Sequence, residues 1–339
     1  MIFMTRKLTD LEAFKLQSGQ ERLSTLVRYA TYAPSSHNTQ PWYFKLRENT
    51  IEVLPNFERR LLISDPDDRE LYISIGAAAH NIVASAESFG LSFKKSIRHS
   101  EKGTTIFFEF ETLEPSNYDE KVLKAIITRE NNRVPFLQKF GAEAILKILK
   151  DGIQEKYPGL ELIFFREQAV KNKLIDIFKR AFTEALSSRA FTGELSKWLR
   201  PSQKKYRDGM PGYNLGVPWL LSFFLPWMVK NMNIVKQQVK MNLELIETAP
   251  VLGIFASSTE TPEGWIITGE ALEDLFLRIT QHNLKMGLFA APIEIGSHHL
   301  ELKKAANTEG RPQVFFRLGF ATHSTPTSPR LREESVIIE

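Results

Sequence analysis

The 339-residue chain contains no cysteine. This absence excludes disulfides, thiolate metal ligands and cysteine nucleophiles. A long apolar run is also missing, because the strongest one, residues 217–229, is interrupted by Ser222 and Pro226 and a membrane-spanning helix needs ~20 apolar residues. We therefore expect no membrane span, and we interpret this run as a buried or lid-like segment rather than a membrane-surface anchor.

An excess of charge of one sign is lacking as well. The 44 basic residues stand against 40 acidic ones, which gives a net charge of +4. That balance is too small to make nucleic acid the default partner, although it leaves room for a local anion site. The first residues turn polar after Met4, without the apolar stretch of a secretory signal, so we expect a cytoplasmic protein.

Helices and strands are predicted to follow one another in a similar order twice along the chain. Apolar spacing predicts helices over 20–31, 65–89, 118–128, 142–150, 168–188, 235–247 and 270–286, and strands over 40–46, 50–54, 91–97, 104–110, 160–165, 250–255 and 313–320. The pairs Gly90-Leu91 and Gly287-Leu288 each follow a long helix, as two glycine caps would. The sequence therefore predicts an α+β fold with two related halves.

The most informative stretch is residues 33–42, Ala-Pro-Ser-Ser-His-Asn-Thr-Gln-Pro-Trp. Ser35 and Ser36 offer hydroxyls to a phosphate or a ring carbonyl, and Asn38 can donate and accept hydrogen bonds at the edge of a heterocycle. From the residue types alone, the alternative is a helix end followed by a simple turn. No glycine-rich dinucleotide fingerprint, P-loop or serine triad spacing accompanies this stretch.

This stretch resembles the flavin-binding signature of the nitroreductase family. Together with residues 68–71, 76–78, 129–136 and 208–211, it makes the chain similar to the Acg subfamily of that family. The resemblance implies a nitroreductase-like α+β fold, with a central, mainly antiparallel sheet flanked by helices. It also implies two fused halves, 1–128 and 129–339, that form an intramolecular pseudo-dimer with a lid insertion at about 198–230.

The resemblance further implies that FMN is bound between the halves. The implied cofactor-binding residues are Pro34, Ser35, Ser36, Asn38, Arg129, Asn131, Arg133, Asn242, Pro292, Ile293, Glu294, Arg330 and Arg332. The basic pairs 129/133 and 330/332 match the phosphate-binding positions of the family, with Asn131 where serine is usual. The alternative for all four arginines is that they are solvated and bind no phosphate.

One catalytic position is implied. Pro292-Ile293-Glu294 matches the segment that lies against the isoalloxazine ring in many nitroreductases, where a backbone N–H near the glutamate addresses flavin N5, so Glu294 is the expected catalytic residue. His37 is expected to pack in the loop or contact the flavin, with proton donation as the alternative. The neighbours His298 and His299 lack a third ligand at a suitable spacing, so no metal is expected.

The expected function is that of an FMN-dependent oxidoreductase that passes hydride from NAD(P)H to a nitroaromatic, quinone or similar acceptor. A pseudo-dimeric monomer suffices for this, and further association into a homodimer stays open. The first alternative is a lidded FMN-binding or FMN-sequestering stress protein without turnover, since Leu245 replaces a lysine that supports the reduced ring in the family. A weakly membrane-associated protein that uses residues 217–229 is the second alternative.

Overall fold

The structure, a computed structural model, describes residues 8–138, 140–141, 143–331 and 336–338. Over these residues the α-helices are α1 (Leu11–Lys15), α2 (Gly19–Ala30), α3 (Arg69–Ser88), α4 (Glu120–Thr128), α5 (Glu143–Lys156), α6 (Gln168–Ser187), α7 (Arg189–Trp198), α8 (Trp219–Ser222), α9 (Leu225–Asn231), α10 (Val235–Glu247), α11 (Pro262–Gln281), α12 (Ala291–Glu294) and α13 (His298–Ala306). The strands are β1 (Trp42–Arg47), β2 (Thr50–Pro55), β3 (Phe93–Ser100), β4 (Gly103–Phe110), β5 (Leu160–Phe165), β6 (Leu199–Arg200), β7 (Met210–Pro211), β8 (Val251–Ser257), β9 (Lys285–Leu288), β10 (Arg311–Gly319) and β11 (Ile337–Ile338).

Two larger sheets organise these strands. The first has the order β11-β1-β2-β4-β3 and the second β5-β8-β10-β9. All pairs within them are antiparallel except β11 with β1, which is parallel. The expected mixture of helices and mainly antiparallel strands is therefore confirmed, but the strands divide between two sheets instead of forming one central sheet.

Helices α3 and α11 pack against each other so closely that their backbones touch. A Cβ atom added to Gly76 of α3 would lie 2.0 Å from the carbonyl oxygen of Ile266, and one added to Gly269 of α11 would lie 1.9 Å from that of Ile73. Both helices have 20 residues and start 193 positions apart, at Arg69 and Pro262, and both glycine contacts follow that same offset. The two helices thus cross in a reciprocal arrangement that only glycine permits at these positions.

The predicted bounds of the helix at 270–286, which corresponds to α11, were wrong. The helix begins at Pro262, where the Thr261 side chain accepts a hydrogen bond from the amide of Gly264 and proline occupies the first turn, both of which are helix-start signals. It ends at Gln281, and Gly287 lies in β9 rather than at a helix cap. The left-handed residue that matches Gly90 is Asn283, with φ of 57°.

The apolar run at 217–229 forms the short helices α8 and α9. Leu225 and Val229 are buried on its inner side, whereas Trp219, Phe224 and Trp227 are 57%, 61% and 60% exposed. The expectation of a buried segment is therefore wrong for its aromatic side chains. Among the described residues, no helix combines the length and the apolar character needed to cross a membrane.

Candidate functional site

A cavity of about 210 Å³ lies beside the crossing of α3 and α11. Its walls come from stretches that are far apart in the sequence, including both helices and the end of the chain. The lining residues fall within 34–38, 70–77, 129–133, 288–294, 313–315 and 326–330, together with Met210 and Leu272. The motif at 33–42 thus meets the stretches at 129–133 and 288–294 at one cavity, where the resemblance predicted that they would converge.

The loop that carries the motif has a strained backbone. His37, Asn38 and Gln40 have φ angles of 51°, 55° and 53°, in the left-handed region that residues other than glycine adopt rarely. Such conformations persist only where the surrounding structure holds them, and they are concentrated at functional sites. The side chains of this loop should therefore be strongly fixed.

Asn38 and Gln40 provide that fixation. The Asn38 amide donates to the carbonyls of Gly209 and Pro329 at 2.9 and 3.0 Å and accepts from Arg330 at 2.7 Å. Gln40 is fully buried and donates to the Arg207 carbonyl at 2.9 Å. Asn38 therefore lines the cavity, but its side chain holds the loop to the segment at 207–210 and to the tail.

His37 lines the cavity as a neutral side chain. Burial lowers the pKa of its imidazole to about 4. The ring stands edge-on to Phe191, with the ring centroids 6.2 Å apart, and within the described residues its Nε2 atom is buried without a hydrogen-bond partner. These contacts agree with a packing role in the loop.

Three of the four predicted arginines lie at the cavity, in different electrostatic settings. Arg129 is paired with buried Glu273, its Nε atom 3.1 Å from a carboxylate oxygen. Arg133 has no ion pair in the part of the chain that the structure describes, and burial lowers the pKa of its guanidinium. Arg330 donates to Asn38 and to the carbonyl of Tyr32. Arg133 is therefore the cation best placed to receive an anionic ligand.

The stretch at 288–294 closes one side of the cavity. Asn131 accepts a hydrogen bond from the amide of Leu288 at 2.9 Å, which ties the two stretches together. Ile293 and Glu294 line the cavity. The backbone N–H of Glu294 donates to the carbonyl of Ala290 at 3.0 Å, within α12. The amide that the resemblance assigns to flavin N5 is thus already satisfied inside the chain.

A pair of carboxyl groups lies in the cavity wall. Glu70, which is 8% exposed, accepts hydrogen bonds from the Ser36 hydroxyl and from Arg69, the latter at 2.8 Å. The Oε1 atom of Glu294 is buried and has no hydrogen-bond partner among the residues described. Burial, together with the charge and hydrogen bonding of Glu70, raises the pKa of Glu294 well above its ordinary value. Burial and the neighbouring carboxyl group therefore favour the protonated form of Glu294.

The surroundings of Glu70 reinforce this effect. Asp65 accepts hydrogen bonds from the backbone amides of Glu70 and Leu71, both at 2.9 Å. Burial and the neighbouring Glu70 raise the pKa of Asp65 to about 7. Three carboxyl groups thus share one poorly hydrated region, so they cannot all be ionised cheaply.

Two predicted residues within the described ranges do not line the cavity, and a third predicted residue lies outside those ranges. Asn242 lies on α10, where its amide donates to the carbonyl of Gln238. Pro292 is buried within α12 behind the lining residues Ile293 and Glu294. Arg332 falls outside the described residues. Conversely, Glu70 was not predicted, although it stands in the stretch 68–71 and in the first turn of a long helix, two signals that pointed to it.

Arg317, on β10, is a further buried arginine that contacts the stretch at 129–133. It is fully buried in β10 and donates to the carbonyls of Asn132, Val134 and Leu245 at 3.1, 2.9 and 3.2 Å. Its guanidinium lies 4.0 Å from the centre of the Phe136 ring, and burial lowers its pKa to about 9. Arg317 therefore fixes the backbone on both sides of Arg133.

Comparison of the sequence with models of known protein families finds no match. Two curated relatives are 38% identical over 74 residues: "Putative NAD(P)H nitroreductase Rv3131" and "Putative NAD(P)H nitroreductase MT3217", from two strains of Mycobacterium tuberculosis. The match covers 22% of this chain and 22% of each relative. The similarity is therefore partial, and less than a quarter of each relative is matched.

Solved structures with some similarity include proteins described as FMN-binding nitroreductases. A nitroreductase with bound FMN from Desulfitobacterium hafniense shares 14% identity, with a TM-score of 0.42, over 65% of this chain and 98% of its own. The nitroreductase NfnB from Mycobacterium smegmatis, solved with NADPH, shares 12% identity, with a TM-score of 0.41, over 65% and 93%. Because both scores lie below 0.5, neither contributes to the assignment.

Proposed function

We propose that this chain is an FMN-dependent oxidoreductase of the nitroreductase type, with NAD(P)H as reductant and a nitroaromatic, quinone or similar compound as acceptor. One observation carries the proposal: the loop of residues 34–38, Arg133 and Glu294 line the same cavity although they are far apart in the sequence. The 74-residue similarity to mycobacterial proteins named as NAD(P)H nitroreductases supports it.

The residues of the cavity match the chemistry of FMN. Arg133, a guanidinium without a carboxylate partner in the described chain, would hold the phosphate together with Arg330. Apolar side chains such as Ile73, Leu272 and Val314 would flank the ring. The chemistry that bound FMN would supply is hydride transfer, from the nicotinamide to the flavin and from the flavin to an acceptor.

The protein itself would contribute a positioned proton. Glu294 keeps its proposed catalytic role, but through its carboxyl group, because its amide is satisfied by Ala290. The raised pKa of Glu294 favours a protonated carboxyl group beside the cavity, where a reduced acceptor needs a proton. The apolar walls limit water, and this favours the protonated form of Glu294.

We also propose that the chain consists of two related halves, 1–128 and 129–339, as in the Acg subfamily. The support is the reciprocal contact of Gly76 and Gly269, with the matching left-handed residues Gly90 and Asn283 at the ends of the two helices. Because residues of both proposed halves line the cavity, a single chain would be sufficient to bind FMN.

The first experiment is the visible spectrum of the purified protein, followed by anaerobic addition of NAD(P)H. Flavin absorption that bleaches is the expected result. Bound flavin that stays oxidised would instead favour the FMN-sequestering alternative, in which the segment at 207–210, tied to Asn38 and Gln40, keeps the nicotinamide out. No flavin binding after reconstitution with FMN would refute both functions.

A pair of variants tests the phosphate assignment. Arg133→Gln should raise the Kd for FMN about tenfold or more, because a charge-assisted hydrogen bond is lost. Arg189→Gln, at an exposed position of α7 away from the cavity, is the matched control and should leave the Kd unchanged. Titration followed by flavin fluorescence measures both, and equal Kd values would contradict the assignment.

A further inference from the structure

The exposed surface of α8 and α9 concentrates large apolar side chains. We call this surface the aromatic patch, and its members are Trp219, Leu220, Leu221, Phe223, Phe224, Trp227 and Met232. The described residues contain sixteen exposed large apolar side chains, and seven of these sixteen stand within 14 consecutive positions. Isolated exposed apolar residues need no explanation, but a contiguous group of this kind marks an interaction surface.

The aromatic patch is held facing outward by a fixed inner side. Leu225 and Val229 are buried against Leu199 and Met210. The hydroxyl of Ser222 accepts from the amide of Ser202 at 2.9 Å and donates to the carbonyl of Trp219 at 2.6 Å. The two helices therefore cannot turn the patch inward without breaking these contacts.

The segment of the chain that carries the aromatic patch is strongly basic. Residues 197–240 contain eight lysines and arginines and a single acidic residue, Asp208, for a net charge of +7. The whole chain carries only +4, so the remaining residues together carry −3. Six lysines of the segment are exposed and form no ion pair within the described ranges, namely Lys197, Lys204, Lys205, Lys230, Lys236 and Lys240.

We propose that residues 197–240 form an interfacial anchor that binds the surface of an anionic lipid bilayer. Tryptophan, phenylalanine and leucine insert at the boundary of headgroups and acyl chains, and the surrounding lysines contact the lipid phosphates. Such binding needs no membrane-spanning helix. This inference rests on the exposed side chains and the charge alone, and it is independent of the proposed function.

A second copy of this chain fits the aromatic patch less well than a bilayer does. In a symmetric dimer the same patch of each copy faces the other. That would bring two surfaces of the same positive charge together, and like charges at an interface oppose association. An anionic bilayer instead supplies opposite charge and an apolar interior at the same time.

The position of the anchor in the chain links it to the candidate site. Met210 lines the cavity and packs against Leu225 and Val229 under the patch. Gly209, next to it, exchanges hydrogen bonds with Asn38 of the motif loop. Binding to a bilayer would therefore place the cavity close to the lipid surface.

The test uses the full chain and vesicles of phosphatidylcholine with or without phosphatidylserine. Cosedimentation should occur with the phosphatidylserine vesicles and weaken as salt is added, because salt screens the lysines. Tryptophan emission should shift to the blue on binding, and this reports on the patch because only Trp219 and Trp227 among the five tryptophans are exposed. No cosedimentation at low salt would overturn the proposal, as would equal binding to neutral vesicles.

Two sets of variants separate the apolar and the charged contributions. Trp227→Ser should weaken vesicle binding at least about tenfold, and Lys230→Gln with Lys236→Gln should weaken it about 25-fold. The matched controls, Ile148→Ser and the pair Lys124→Gln with Lys150→Gln, change exposed residues of α4 and α5 and should have no effect. Losses equal to those of the controls would overturn the assignment.

The oligomeric state tests whether a second copy of the chain, rather than a bilayer, covers the aromatic patch. Light scattering during gel filtration should give the same mass for the wild type and for Trp227→Ser, with both proteins folded by circular dichroism. A wild-type dimer that Trp227→Ser converts to a monomer, without vesicle binding by either, would show that the aromatic patch is a contact between copies and would refute the membrane anchor.

Discussion

The reciprocal glycine contact between α3 and α11 leads to a sharp prediction for Gly269→Ala. The new Cβ atom would lie 1.9 Å from the carbonyl oxygen of Ile73 and 2.9 Å from the amide nitrogen of Ala77. Ordinary contact begins near 3.4 Å, so the helices must separate by roughly 1.5 Å, because a backbone carbonyl cannot rotate aside as a side chain can.

Two effects oppose each other in this variant. Alanine favours the helix by about 1 kcal/mol relative to glycine, whereas overpacking of a well-packed interior costs about 1–3 kcal/mol and occasionally more. Because the clash is with backbone atoms, we expect the upper end of that range and a net loss of about 2 kcal/mol or more. Gly76→Ala should lose a similar amount, since its Cβ would lie 2.0 Å from the Ile266 oxygen.

Urea unfolding followed by circular dichroism measures these losses. Gly193→Ala on α7 is the matched control, because a Cβ at Gly193 meets nothing within 4 Å and should stabilise the protein by about 0.5–1 kcal/mol. The double variant at Gly76 and Gly269 should lose less than the sum of the single variants, since one separation of the helices relieves both clashes. A Gly269→Ala protein as stable as the wild type would refute the reciprocal contact.

Three further predictions concern buried ionisable groups. Glu294→Gln should become more stable relative to the wild type as the pH rises from about 5 to about 8, since the raised pKa of Glu294 gives stability that is present below its ordinary pKa and lost as pH rises; parallel urea midpoints at the two pH values would contradict this. Between pH 6.5 and about 4 the wild type should lose up to about 3 kcal/mol of folding stability that His37→Asn does not lose, because a lowered histidine pKa gives stability above pH 6.5 that is lost on acidification. Equal pH slopes of stability for the two proteins would argue against a buried neutral His37. Arg317→Met should lower stability by about 3 kcal/mol in urea unfolding, because the carbonyls of Asn132, Val134 and Leu245 lose their donor; exposed Arg166→Met is the control, and an equally small change in both would show that Arg317 is dispensable.

Much of the fold followed from short-range patterns. The strand Leu160–Phe165 and the helix Val235–Glu247 have the bounds that apolar spacing predicts, because the strand is a short, almost wholly apolar run and the helix has apolar residues at helical spacing. The start of α11 was missed because Gly264 and Gly269 weaken the helical pattern. Both glycines are there for tight packing, at Thr259 and Ile73, and single-sequence periodicity does not contain such tertiary contacts.

The site was accessible from sequence only where residues form a contiguous motif. The loop at 34–38 and the stretch at 129–133 were found in this way, and the structure brings both to the cavity. The sequence did not reveal the hydrogen-bond partners of each side chain. The Asn38 side chain, for example, is hydrogen-bonded to Gly209, Pro329 and Arg330. Those partners lie about 170 or more positions away, so no local pattern could reveal them.

A comparison of matching positions in α3 and α11 explains why the candidate site lies beside α3. Glu70 and Glu263 occupy the same position in α3 and α11, 193 residues apart. The side chain of Glu263 is 53% exposed, and its carboxylate lies 3.8 Å from the Nε2 atom of exposed His99. Glu70 is instead covered by Ser36 and Arg69 and faces Glu294. Of these two glutamates only Glu70 is buried and therefore desolvated. The proton donation proposed here thus requires the Glu70 position on α3 and not the Glu263 position on α11.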